Sequence, residues 1–306
     1  MFIVGECIHV ISKRVREAME NRDVAFIQDL ARRQAEKGAQ ALDLNIGPQR
    51  RTGPEVMTWM VDTVQDVVDI RLSLDTTNPE AIEAGLKRCK CKAIINSTDA
   101  SPERLATMLP LAAKYNADII ALTFAGGGLP SSTDARVQLA VENIIPAAME
   151  HGVPLENIYF DPLVLTINGN QDQAIPTIEA VRFFKQMSDP PAKTICGLSN
   201  ISNGAPREVR PIVNRVFLSM AMGAGLDAAI ADPLDDELME VVRTIETREA
   251  KTPKMQLYLA IHDTYAVGGP FDSSGWDLNN LDIRDLVRTV EVLENKWIYA
   301  HSYLRL

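Results

Sequence analysis

The sequence predicts an α/β chain folded as a (β/α)8 barrel, and three observations predict it. Eight short apolar runs recur, at 2–5, 41–46, 70–75, 92–96, 118–124, 157–161, 194–200 and 228–232. They are nearly continuous rather than alternating, as expected of parallel strands covered on both faces. Segments of helical period lie between them. Several runs also stop in a carboxylate or carboxamide, at Asp43 and Asn45, Asp75, Asn96, Asp161 and Asn200. Barrel strands that each deliver a side chain to a common mouth read in this way.

The elements follow in order. After the first run, Val24, Ile27, Leu30 and Ala31 recur with helical spacing before Gly38. Met57, Met60, Val61, Val64 and Val68 follow Pro54, a residue suited to a first helical turn. Pro79, Ala81, Ile82, Ala84 and Leu86 follow Asn78, which reads as an N-cap. Leu105, Met108, Leu109 and Ala112 follow Ser101-Pro102-Glu103. An open doubly wound sheet is the alternative. It needs a Gly-rich phosphate turn after the first strand, and Gly5-Glu6-Cys7-Ile8-His9 has no GxGxxG. Past the eighth run, 236–249 reads as a helix and a second helix runs from 282 to about 303. Between them lie Pro253, Gly268-Gly269-Pro270 and Ser273-Ser274-Gly275. We therefore expect one domain over 1–306, with an insertion at about 251–281 that forms a surface excursion before the closing helix.

Composition excludes several functions. Lys+Arg 31 against Asp+Glu 41 gives a net charge of −10, unsuited to nucleic acid or an anionic membrane. No run approaches the length of a membrane span. The first residues lack the basic leader and apolar stretch of a signal peptide, so a cytoplasmic location is expected. Cys89-Lys90-Cys91 is CxC rather than CxxC; with Cys7 and Cys196 it reads as reduced thiols. The four histidines form no HxxxH, so no metal site is expected. Trp59, Trp276 and Trp297 are expected to pack, and the Met-rich stretch 217–222 to lie in the core or a subunit interface.

The chemistry therefore rests on the mouth. Glu6, Asp43, Asn45, Asp75, Asn96, Asp161, Asn200 and Asp232 converge there, and Thr123-Phe124 ends the fifth strand ahead of Gly126-Gly127-Gly128. The strand-end row is Asp and Asn, with no Lys, Cys or His. Inward-facing groups of this kind are costly unless a ligand or network satisfies them. Carboxylates only accept hydrogen bonds, whereas Asn both donates and accepts. A fused heterocycle with a 2-amino-lactam edge offers two adjacent N–H donors that one carboxylate can take together. The set suits a pterin. The competing reading makes these residues helix caps: Asp75-Thr76-Thr77-Asn78-Pro79 contains one capping signal and Asn96-Ser97-Thr98 another.

Five ordered motifs carry a resemblance: Leu42-Asp43-Leu44-Asn45-Ile46-Gly47, Leu74-Asp75-Thr76-Thr77-Asn78, Ile95-Asn96-Ser97-Thr98, Asp161-Pro162-Leu163 and Gly197-Leu198-Ser199-Asn200-Ile201-Ser202. Together they resemble the pterin-binding methyltransferases. The nearest likeness is to the methyltetrahydrofolate:corrinoid/iron–sulfur protein methyltransferases and related corrinoid-protein:tetrahydrofolate methyltransferases. The resemblance implies a TIM barrel that moves a methyl group between N5 of (methyl)tetrahydrofolate and the cobalt of a cobalamin carried by a corrinoid protein. It also implies a homodimer. By the same resemblance Asp75, Asn96 and Asp161 hydrogen-bond the pterin and Asn200 reaches N5. Asn203 stands near the folate, and either Arg207 or Arg210 matches an arginine of the loop after strand seven. Asp43 and Ser199 are counted with the folate-binding set, and Asp161 is a candidate proton relay. Arg50-Arg51 would meet the glutamate tail or an acidic partner. With no His or Lys in the mouth, activation of N5 is expected through hydrogen bonding rather than from a strong local acid. Dihydropteroate synthase is the alternative enzyme, but Asn45-Ile46-Gly47-Pro48 and Ser199-Asn200 stand where it has a phosphate loop and a lysine. A non-catalytic pterin-binding subunit is the alternative of another class.

Overall fold

Eight parallel strands hydrogen-bond in sequence order, and the first closes on the last. They are β1 (Phe2–His9), β2 (Ala41–Asn45), β3 (Arg71–Asp75), β4 (Ile94–Asp99), β5 (Asp118–Leu122), β6 (Ile158–Asp161), β7 (Lys193–Gly197) and β8 (Ala228–Ala231). The structure, a computed structural model, describes residues 1–126 and 128–305. Gly127 of the triple-glycine loop lies outside the described residues; Ala125 and Gly128 beside it form an antiparallel bridge. Side chains of Val4, Ala41, Ile94, Ile120, Tyr159, Ile195 and Ala228 fill the barrel interior as one buried cluster. The (β/α)8 expectation therefore stands.

β1 is longer than its apolar run. It continues past Gly5, with a register irregularity between Gly5 and Ile8, and ends level with Asn45 at the rim. This corrects the expected mouth. Cys7 and His9 belong to it beside the Asp and Asn row.

Helices α1 (Lys13–Glu20) and α2 (Val24–Glu36) follow β1, then α3 (Gly53–Gln65), α4 (Pro79–Leu86) and α5 (Pro102–Tyr115) follow β2, β3 and β4. Asn78 caps α4, accepting from the N–H groups of Glu80 and Ala81. α6 (Thr133–Leu139) runs through a π turn into α7 (Ile145–Glu150), ahead of β6. After β6 come the single turn α8 (Ile167–Asn170) and α9 (Ala174–Gln186); after β7 comes α10 (Arg210–Gly223). None of the described helices is long and apolar enough to cross a membrane.

The tail holds three helices, α11 (Asp236–Thr247), α12 (Pro253–Ala266) and α13 (Leu281–Leu293). The stretch expected as a surface excursion is thus half helix. α12 buries Met255, Leu257, Tyr258, Ile261 and Tyr265 in the same cluster as Val216, Phe217 and Met220 of α10. The Met-rich stretch is therefore core. Only 267–280 is irregular. The closing helix stops at Leu293 rather than near 303, because Asn295 turns left-handed at φ 58°. Beyond it, Gln171 Nε2 donates to the carbonyls of Val292 (3.3 Å) and Trp297 (2.7 Å), which ties the tail to the loop after β6. Trp59 and Trp276 are half-buried as expected, but Trp297 is 65% exposed and packs little.

Candidate active site

Register sets the mouth. Asn45 lies beside Asp75, and Asp75 beside Asn96, so β2, β3 and β4 present one continuous rim row. Asp43 and Ser73 pair two residues lower, directly beneath it. Side chains link the two levels. Ser73 Oγ donates to Asp43 Oδ1 at 2.6 Å and Asn96 Nδ2 donates to the same oxygen at 3.0 Å. Asn45 Nδ2 donates to Asp75, and Asn45 Oδ1 accepts from the Gly47 N–H (3.1 Å). Asn96 is thereby oriented with its donor spent downwards and its carbonyl oxygen left over. Asp75 and Asn96 are not helix caps: Asn78 holds α4, and Asp99 accepts from the Ser101 N–H ahead of α5.

Asp161 ends β6 and is 5% exposed. Its Oδ1 accepts from the Leu163 N–H at 2.8 Å, with Leu163 at φ 60°. Oδ2 takes no hydrogen bond among the described residues. Thr123 at the end of β5 steadies the strand, since its N–H and hydroxyl both donate to the Asp161 carbonyl.

Asn200 lies on a 3-10 turn, Leu198–Ser202, directly after β7. Its carboxamide folds back over Gly197: a Cβ added there would lie 2.9 Å from Asn200 Nδ2. Asn200 is exposed, whereas Leu198 and Ile201 on either side are buried. Ser199 Oγ donates to Glu6 Oε1 at 2.5 Å. Asn203 follows, exposed, with its carbonyl taken by the Thr166 hydroxyl. Arg210 donates to the Ala205 carbonyl (2.8 Å) within its own loop. Arg207 is exposed and makes no hydrogen bond or ion pair among the described residues. Asp232 accepts from Cys7 Sγ (3.1 Å) and the Leu234 N–H (2.9 Å).

Electrostatically the mouth is a set of carboxyl groups held towards the neutral form. Burial pushes Asp161 up to about 7, the Leu163 N–H and the Arg136 cation opposing it only in part. Burial likewise raises Glu6 to about 7, offset by the Ser199 hydroxyl and reinforced by Asp232 and Asp43. Asp75 is held well above the usual carboxylate range by burial and then by the Asp43 charge; Asp43 is raised by burial. Burial lowers His9, so it favours the neutral imidazole.

One pairing and one site group are not legible in the sequence. Glu6 reads as a strand end, but no spacing links it to Ser199. Arg136 of α6 reads as an ordinary surface helix residue, yet it is fully buried. It donates to the Pro162 carbonyl (2.7 Å), the Ser132 carbonyl (3.0 Å) and Gln173 Oε1 (3.2 Å), tying three segments around Asp161. Its Nη2 is buried without a partner among the described residues. A cavity of about 540 Å³ lies beside the mouth, lined by Val10, Arg16, Arg22, Gly47, Gln49 and Glu55 among others. None of Asp75, Asn96, Asp161 and Asn200 lines it.

A sequence model of the family described as "Pterin binding enzyme" matches residues 11–232, most of the chain and every rim residue from Asn45 to Asp232. The chain belongs to the pterin binding enzyme family. Among family relatives it is similar to methylcorrinoid:tetrahydrofolate methyltransferase of Eubacterium limosum. The two are 29% identical over 244 residues, covering 79% of this chain and 89% of that protein. It is also similar to methionine synthase of Mycobacterium tuberculosis, 33% identical over 240 residues. That match covers 75% of this chain but only 20% of the much longer synthase. Among solved structures, dihydropteroate synthase from Thermus thermophilus in complex with 6HMPPP superposes with a TM-score of 0.57 at 18% identity. It covers 81% of this chain and 94% of that one, and at this identity the likeness speaks for the barrel alone.

Proposed function

We propose that the protein is a methyltransferase that moves a methyl group between N5 of (methyl)tetrahydrofolate and the cobalt of a corrinoid protein. The observation that carries this reading is the paired network Asn45–Asp75 over Ser73–Asp43–Asn96. It aims carboxyl oxygens and one carboxamide oxygen into the mouth with no cation among the strand ends. A pterin edge supplies the N–H donors such a row lacks. Family membership and a methylcorrinoid:tetrahydrofolate methyltransferase relative over most of the chain support the same reading.

In this reading Asp75, Asn96 and Asp161 hold the pterin and Asn200 faces N5. A tertiary amine leaves only after N5 gains positive character. Asn200 Oδ1 would accept from the protonated N5 and stabilise the charge as it develops, a stabilisation larger in the transition state than in the ground state. The proton relay in this reading is Asp161, the candidate the sequence named. With Asp161 near 7, the mouth contains an acid poised at neutral pH, able to pass a proton directly or through one water. The corrinoid, brought by its partner, gives or accepts the methyl group at cobalt. Asn203, Ser199 and Arg207 or Arg210 flank the folate from the β7 loop. A homodimer and a cytoplasmic location belong to the same proposal.

Dihydropteroate synthase chemistry would need cations for a pyrophosphate at the strand ends, and Asn200 stands there instead. The test is turnover of methyltetrahydrofolate with cob(I)alamin, free and on a corrinoid protein. Methyl transfer is expected with both acceptors. Tight folate binding with no transfer to either would sink the methyltransferase reading and leave a pterin-binding subunit.

A further inference from the structure

We propose that Glu6 is a positioning residue for the turn that carries Asn200, holding it through Ser199. The inference rests on the reading that Asn200 acts at N5.

The turn Leu198–Ser202 is a single short 3-10 stretch, and its backbone bonds fix its shape but not its seat on the barrel. No side chain caps it. Its backbone bonds end with the Asn203 N–H to the Asn200 carbonyl (3.2 Å), and Ser202 Oγ adds a long contact to the Ser199 carbonyl (3.4 Å). Leu198 and Ile201 anchor its apolar side in the core. On the polar side, where Asn200 emerges, the Thr166 hydroxyl holds the Asn203 carbonyl at the far end. Among the described residues, the side-chain bond from the turn's own residues to another element is the 2.5 Å hydrogen bond from Ser199 to Glu6. Those two residues are 193 apart in sequence, so the bond ties β7's turn to β1 across the barrel seam at β8.

Glu6 has no other evident use. No cation pairs with it among the described residues, and the titratable groups around it are Asp43 on β2, Asp232 after β8, Cys7 beside it and Cys196 on β7. A half-buried carboxyl among acids and thiols is unfavourable to the fold. Its one side-chain hydrogen-bond partner among the described residues is the residue next to Asn200, which is a reason for it to be there. A one-ångström drift of the Asn200 carboxamide would misplace it against N5.

The test uses the full chain with Glu6→Ala, Glu6→Gln, Ser199→Ala and the Glu6→Ala/Ser199→Ala pair. Two readouts are taken: kcat and KM for methyl transfer from methyltetrahydrofolate to cob(I)alamin, and hydrogen exchange of the Leu198–Ser202 amides. Each alanine variant is expected to lose about tenfold in kcat with KM within about twofold, and the pair to lose no more than either alone. Glu6→Gln keeps an oxygen for the Ser199 hydroxyl and should recover most of the rate. Exchange in the turn should quicken about tenfold in both alanine variants and little in Glu6→Gln. Additive losses, a KM rising in step with the loss of kcat, or unchanged exchange would overturn the proposal; a rising KM would make Glu6 a folate contact instead. If Glu6→Ala does not fold, Ser199→Ala and Glu6→Gln decide by the same readouts. A wild-type protein that transfers no methyl would defeat the proposed function alone, because exchange judges the anchor without turnover.

Discussion

Asp161 shows how one residue couples stability to chemistry. Its carboxyl titrates near 7 in the folded chain and near 3.8 when unfolded, because burial disfavours the anion. The folded state therefore binds the proton more tightly, and this contribution to stability is lost as pH rises towards 7. Asp161→Asn removes the ionisation and keeps an oxygen for the Leu163 N–H. Relative to wild type, the variant should gain on the order of 2–3 kcal/mol between pH 5 and pH 8. Urea unfolding at the two pH values measures this; a difference that does not change with pH would remove the burial argument. Arg136 works against the shift from the other side of the Asp161–Leu163 turn. Neither property could be read from Asp161-Pro162-Leu163, since burial and a guanidinium 25 residues upstream set both.

At the scale of elements, the strands were legible and the tail was not. Parallel strands buried on both faces leave continuous apolar runs, and each run lies within a residue or two of its strand, apart from β1 and β4, which continue past their runs, and β7, which stops three residues short of its own. β1 exceeds its run because Ile8 and His9 resume the pairing with β2 past the irregularity, while Gln34 takes the Cys7 N–H between them. α12 is not legible because its apolar residues spread round the helix instead of forming one stripe. Its fit against α10 is close. A Cβ on Gly223, the last residue of α10, would lie 2.3 Å from the His262 carbonyl and 2.9 Å from Tyr265 Cβ. In an exposed helix Gly→Ala gains up to about 1 kcal/mol. Here the clash reverses the sign, and Gly223→Ala should cost about 3 kcal/mol, seen as a Tm lower by roughly 5 °C. A variant as stable as wild type would mean that α12 is not held against α10 at this crossing.

For the molecule as a whole, the acidic mouth makes ligand binding and pH interdependent. Pterin N–H donors prefer ionised acceptors, while burial keeps Asp75 and Asp161 towards the neutral form. Binding should therefore release protons. Tetrahydrofolate affinity should fall by up to about tenfold per pH unit for each carboxyl involved as pH drops and that carboxyl takes up its proton. At pH 7.5, a concentration 100 times Kd should stabilise the fold by about 2.7 kcal/mol, a rise in Tm of several degrees. Thermal shift and calorimetry at pH 5.5 and 7.5 check both. A pH-independent affinity would show that these carboxyls do not take the pterin edge.

The sequence by itself determined the barrel, the strand-end row and the type of ring it suits. Apolar periodicity and the Asp and Asn at strand ends are local, and a barrel places every strand end at the same mouth. The tertiary structure decided which of those groups work together. Asp43 serves Asn96 from beneath, Glu6 serves the turn of Asn200, and Arg136 closes round Asp161. Those pairings join residues tens to nearly two hundred positions apart. They depend on strand register and burial, which no local pattern records.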